Sequence, residues 1–264
     1  MTMDQIGTLL KLHDFSWEDH HSELDIHGRN VEVEFWPKTW HGEQEQMQHI
    51  GQITNDQKYK VWRESKGSGM FVISGENEFH RAHNCWTSKV ALDLINERLT
   101  TDTCVFHLFG RHEHENTCLH VLSSLIYQIL HLNKEILRDQ TQVDEILAKL
   151  RRYQICLEES DKQKALEDVA SRALKMISRD KPIWIVLDRV DRCCSHAQHQ
   201  SPSGRISRQG GREILNCLSR LALQGANVKV LAVVNRTDWR VDLDDEDIGD
   251  AQEHVTIKRF CQVN

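Results

Sequence analysis

The sequence predicts a three-layer α/β domain, a mostly parallel sheet of about five strands with helices on both faces. Three observations carry that reading. Met70-Phe71-Val72-Ile73-Ser74, Ile183–Leu187 and Val228–Val234 are apolar runs without alternation, the pattern of strands buried on both faces. Segments with apolar residues at helical spacing separate them, as βαβ crossovers require. The central run closes on an acid, Asp188, at the strand end where open α/β sheets place their ligands.

Taken in order, residues 1 to about 60 are polar and broken. Ile6, Leu9, Leu10 and Leu12 suit a short helix, and Val31, Val33 and Phe35 alternate with Glu32 and Glu34, which predicts a short strand. Phe15, Trp17, Trp36 and Trp40 are large rings in this polar setting and are expected to pin it to the rest. The division expected is a lead-in segment, 1–60, packed on a main domain, 61–264. The main domain opens with the turn Gly67-Ser68-Gly69 and the strand that ends at Gly75. A helix follows over about 88–99, through Val90, Ala91, Leu94 and Ile95, then a strand over 103–109. Val121, Leu122, Leu125, Ile126, Ile129 and Leu130 give a broad apolar stripe over 118–132. Helices are expected near 139–157, 160–179 and 211–224, a polar loop over 195–209, and a short last strand at 254–257.

The chain of 264 residues has a formal net charge of −7, which excludes a general nucleic-acid binder, since that needs surplus Lys and Arg. Its eight cysteines are irregularly spaced, several within apolar runs, where a reduced thiol acts as a small hydrophobe. No secretory segment follows Met1 and no apolar run reaches membrane-spanning length. A soluble, cytoplasmic protein is expected, with no membrane partner.

A carboxylate at Asp188 suits magnesium, directly or through water, with Asp191 behind it in the water network. A phosphate cradle of the form G-x-x-x-x-G-K-[ST] should follow the first strand and open a helix, because backbone amides and the helix N-terminus bind phosphate. The context after Ser74 and Gly75 is right. Counting from Gly75 places His80, Arg81 and Ala82 where Gly, Lys and Ser/Thr belong. Aligning by the helix places Ser88, Lys89 and Val90 there. Neither supplies the hydroxyl or keeps the glycines. The candidate phosphate contacts are therefore Gly75, Arg81, Lys89 and, after the Val228–Val234 strand, Arg236. Arg192, where many hydrolysing P-loop proteins carry Glu, predicts slow hydrolysis at most. The groups His107, His112, His114, Cys118, His120 and Cys193, Cys194, His196, His199 show no zinc spacing. The acidic run Asp242–Asp250 lacks the calcium-loop order.

With these residues assembled, the chain resembles a fungal NACHT-type P-loop NTPase of the STAND class, nephrocystin-like, over nearly its whole length. Ser124-Leu125-Ile126-Tyr127-Gln128 and Ile185 to Cys193 carry the resemblance most specifically. Trp62, Gly67-Ser68-Gly69, Phe71, Ile73-Ser74-Gly75, Phe109, Arg111, His112 and the Asn227–Arg236 segment support it, and the Walker A loop is degenerate. The resemblance implies a nucleotide-controlled signalling switch, often in non-self recognition. It implies ATP or GTP with magnesium where the site is live, and none where it is not. The alternative is a pseudo-NTPase acting by protein contact. It implies protein partners too, whether related full-length NACHT proteins or self-association. An effector domain and a winged-helix or repeat region usually flank such domains. Their absence from these residues predicts a truncated relative or a chain that works with partners.

Overall fold

A computed structural model describes the chain except residues 1, 13–14, 37–39, 78–83, 111–115, 178–179, 196–208, 225–226, 242–253 and 263–264. Its centre is one sheet of five strands in the order β2-β3-β4-β1-β5. They span β1 Gly69–Glu76, β2 Thr103–Leu108, β3 Ile183–Asp188, β4 Val228–Asn235 and β5 Val255–Cys261. Every pairing is parallel. The unalternating runs are explained by this placement: β1, β3 and β4 are interior strands covered on both faces.

Successive side chains of each strand enter opposite layers. Met70, Val72, Ile183, Ile185, Leu187, Val230 and Ala232 enter one core, with helices α1 Met3–Leu9, α6 Cys118–Leu132, α7 Gln140–Ile155, α8 Glu159–Met176 and α9 Gln209–Leu223. Phe71, Ile73, Phe106, Trp184, Val186, Leu231 and Val233 enter the other, with α2 Trp17–Phe35, α3 Trp40–Thr54, α4 Gln57–Glu64 and α5 Ser88–Arg98. The chain is thus a three-layer α/β domain with helices on both faces.

Two sequence expectations change. The strand expected at Val31–Phe35 is instead the last turns of α2. That helix is N-capped by Ser16, whose hydroxyl accepts from the Asp19 amide, and carries Glu18 and Asp19 in its first turn, where acids suit the helix dipole. Its buried residues His20, Leu24, Val31 and Phe35 fall on one helical face, so the alternation at 31–35 is an accident of a longer period. The last strand is longer than expected, reaching Cys261.

Among the described residues no helix is long and apolar enough to cross a membrane. All eight cysteines are free.

Candidate functional site

The register puts the candidate residues at one edge of the sheet. Gly75 on β1 pairs with Asn235 on β4, and Asp188 on β3 pairs with Val233. Asp188 and β1 therefore flank β4, two strand spacings or about 10 Å apart.

Asp188 is fully buried. His27 of α2 reaches it with Nε2 2.6 Å from Oδ2, the imidazole donating. Asp188 Oδ1 is buried and has no hydrogen-bond partner among the described residues. Asp191 lies in a short 3-10 turn, Val190–Arg192, entered through Arg189 in the left-handed region at φ 67°. That unusual backbone folds Arg189 back onto Asp191. Its Nη2 donates at 2.7 Å to Asp191 Oδ2 and at 2.9 Å to Asp238 Oδ2. The Asn235 amide donates at 2.8 Å to Asp191 Oδ1. Burial works against the Arg189 charge, and the Asp191 carboxylate more than offsets it, so its pKa is raised. Burial raises Asp238, as does the Asp191 charge, against Arg189.

Gly75 sits under the start of α5. A Cβ there would lie 2.3 Å from Thr87 Oγ1 and 2.8 Å from Cys85 Sγ, closer than real contacts allow, so glycine is required by packing. The first turn into α5 is Cys85-Trp86-Thr87, closed by the Ser88 amide on the Cys85 carbonyl at 3.0 Å and the Lys89 amide on the Trp86 carbonyl at 3.4 Å. Trp86 is completely buried. Its indole donates to the Glu76 carbonyl at 3.1 Å, and its amide donates to Asn77 Oδ1 at 3.2 Å. The Asn84 amide donates at 3.1 Å to Glu34 Oε2 of α2, and its side-chain amide donates to the same oxygen at 2.6 Å. Four amides of the loop and helix start thus have acceptors within the protein.

Lys89 lies 2.8 Å from Asp93 Oδ1 and 3.4 Å from Glu32 Oε1. Burial lowers its pKa, but the bond to Asp93 and the charges of Asp93 and Glu32 raise it overall. Arg236 follows β4, its amide bonded to the Gly75 carbonyl at 2.8 Å and its Nη1 3.4 Å from Glu76 Oε2. Glu76 also accepts from Arg259 Nε at 2.8 Å. Burial pushes the Glu76 carboxyl up, and the Arg259 and Cys261 hydrogen bonds with the nearby guanidinium charges bring it below its ordinary value. Arg81 lies outside the described residues, as do His112, His114, His196, His199 and the whole acidic run Asp242–Asp250. Among the described residues no group of three or more His, Cys, Asp or Glu is placed to hold a metal.

The structure brings Gly75, Asp188, Asp191 and Arg236 to one sheet edge with Lys89 on the adjoining helix. Sequence reasoning missed His27, Glu32, Glu34, Asn77, Trp86 and Thr87. The first three stand on a segment expected to be peripheral. The helical spacing of Leu24, Val31 and Phe35 is the signal that would have placed them.

A parallel sheet with a strand-to-helix loop at one interior strand and a buried strand-end aspartate at another defines a P-loop-like α/β domain. The family described as nephrocystin 3, N-terminal, matches residues 50–233, well over half of the chain. The chain belongs to that family and is a NACHT-like, nephrocystin-type domain. No curated protein and no solved structure matches it.

Proposed function

We propose that this domain is a signalling module of the NACHT-like kind that works as a pseudo-NTPase, through contact with protein partners and not through nucleotide turnover. The single observation that carries this reading is the turn Cys85-Trp86-Thr87. A P-loop places Gly-Lys-[Ser/Thr] at the start of its helix, because the glycine lets the backbone approach phosphate and the lysine reaches the outer phosphates. In the turn that enters α5 this chain has Cys85, then Trp86, then Thr87, which keeps a hydroxyl; Trp86 is buried beneath α3 with its ring 5.6 Å from that of His49. An indole carries no charge to offer phosphate, and the Trp86 amide is already bonded to Asn77. The residues of this turn do not fit a nucleotide phosphate. Partners that suit the family resemblance are related full-length NACHT proteins or a second copy of this chain.

A second reading rests on Asp188 Oδ1, which is buried and unpartnered among the described residues. A buried carboxylate oxygen without a donor is costly and suits magnesium. In that reading ATP or GTP binds and is hydrolysed slowly at most. Gly75 with Lys89 or Arg81 would face phosphate, Asp188 the metal, Asp191 the water network and Arg236 the γ-phosphate.

Calorimetry with ATP, ADP and GTP, each with and without magnesium, separates the two. The expected result is no binding heat at millimolar nucleotide from folded protein. Magnesium-dependent binding that is lost in Asp188→Ala and Lys89→Ala would replace the first reading with the second. Binding that survives Lys89→Ala would move the phosphate contact to Arg81.

A further inference from the structure

The groups that a metal–phosphate ligand would use at this edge are met by side chains of a single helix. His27 donates to Asp188 at 2.6 Å, where a cation would sit. Glu34 accepts from the Asn84 amide at 3.1 Å, as a phosphate oxygen would from the loop. Glu32 stands 3.4 Å from Lys89. These three anchors belong to three separate chain segments: β3, the loop before α5, and α5 itself. Among the described residues α2 joins them, and it offers a proton donor to the acid and carboxylates to the donors.

The face of α2 turned to the domain is unusual for a packed helix. At 100° per residue, His20, Leu24, His27, Val31, Glu34 and Phe35 fall within an arc of about 100°. Three of these six are ionisable. The buried apolar side chains of α2 are Leu24, Val31 and Phe35, spread over its 19 residues. Two apolar residues, Ile26 and Val33, point to solvent at 51% and 77% exposure. Beside these, His20 stacks on Phe106 at 4.2 Å and Trp17 on His131 at 4.7 Å; so small an apolar face with several polar anchors places an element toward the low end of local stability. Buried polar groups at the edge would in turn be costly if the helix left with nothing to replace it.

We propose that α2 is the resident ligand of the crevice at the carboxyl edge of the sheet. It is a displaceable helix that pairs Asp188 Oδ2 and the Asn84 amide, and adds Glu32 to the Asp93 that already pairs Lys89, in place of a metal–phosphate group, and its release is the change through which the module signals. The proposal rests on the pseudo-NTPase reading in that it takes the crevice to be filled by protein. The occupant is α2 of the same chain. Release frees a polar crevice on the sheet and a helix face carrying Leu24, Val31 and Phe35, both of which a partner can read.

Hydrogen exchange read by mass spectrometry on the full chain tests it. The wild type is compared with the double variant His27→Ala/Glu34→Ala and with Asp25→Ala, a change on the exposed side of α2. In the wild type, α2 amides are expected to exchange at least about tenfold faster than those of β3 and β4, by local opening. In the double variant α2 should gain about a further tenfold, with β3 and β4 unchanged. Asp25→Ala should match the wild type. If wild-type α2 opens only together with β3 and β4, it is an integral part of the core and the proposal is wrong. That comparison stands even if the double variant fails to fold. A double variant indistinguishable from Asp25→Ala also overturns it.

Magnesium-ATP titrated into both proteins separates this proposal from the functional reading. Heat from neither, with α2 loosened, supports both. Heat from the double variant alone keeps the α2 proposal and ends the pseudo-NTPase reading. Heat from the wild type with α2 still protected ends both.

Discussion

Gln128 shows what one side chain does for this sheet. The Phe106 amide donates to its Oε1 at 3.0 Å and its Nε2 donates to the Phe106 carbonyl at 2.8 Å, with Ser124 Oγ 3.1 Å away. Since β2 is an edge strand, its outward groups lack a strand partner. The carboxamide, one donor and one acceptor side by side, substitutes for one residue of that missing strand. Gln128→Leu should therefore cost about 1–3 kcal/mol, the penalty of stranding buried backbone groups. A denaturation midpoint unchanged from wild type would refute it. Ser124 and Gln128 belong to the most specific stretch of the family resemblance, yet their purpose was not legible in the sequence. The acceptor lies 22 residues back in another element. Asp191 makes the same point with charge. The sequence suggests a group in the water network, and the structure holds it between Arg189 and the Asn235 amide. Removing Asp191 leaves the buried Arg189 with the half-exposed Asp238 alone and takes the acceptor from the Asn235 amide, at up to about 3–5 kcal/mol. Asp191→Ala should thus lower thermal stability steeply. A variant as stable as wild type would show that Asp191 does no structural work.

At the scale of the element, β2 has on each face an imidazole that the fold keeps neutral, His20 of α2 on one side and its own His107, beside Phe109 and His120, on the other. His20 stacks on Phe106 with ring centroids 4.2 Å apart. Burial, with help from the His21 charge, lowers its pKa to about 4. His107 on β2 is buried, and burial, then the His120 charge, holds it well below its ordinary 6.5. Unfolded, both would protonate near 6.5; folded, they resist. The sign follows: their neutral burial costs nothing above about pH 6.5, and stability falls as pH drops from there toward the folded pKa. Each such histidine contributes up to about 1.4 kcal/mol per pH unit in that window. Urea midpoints measured from pH 7.5 to pH 5 should fall in the wild type, and less steeply in His20→Phe, which keeps the stack. Equal slopes would remove His20 from the account. The histidines of α2 were visible in the sequence, but the misread strand at Val31–Phe35 hid the helix that carries them. Over five residues a period of two and a period near 3.6 are hard to tell apart. Elements beyond residue 60 were legible because their apolar runs are long.

The whole molecule is organised by the sheet, whose strands serve both cores at once. Along β3, Ile183, Ile185 and Leu187 enter one layer while Trp184 and Val186 enter the other. Neither core can lose its strands without exposing the other, so the α6–α9 layer and the α4–α5 layer should unfold together. Sequence patterning announced this, because a strand apolar on both sides has no solvent face. It did not announce the site, since His27 and Asp188 are 161 positions apart and no periodicity links them. The fold is thus written in local runs, and the crevice in pairs that form only after folding. A consequence can be measured. In native-state exchange at rising denaturant, amides of α6, α8, β3 and β4 should share one opening free energy, because burial couples them through common strands. Arg98, whose guanidinium lies 4.5 Å from the Trp184 ring centroid, gives α5 the same anchorage. Its amides should therefore join the same unit. Should α5 open well before α8, the two layers would be independent and the sheet would not be the common support that its alternating burial implies.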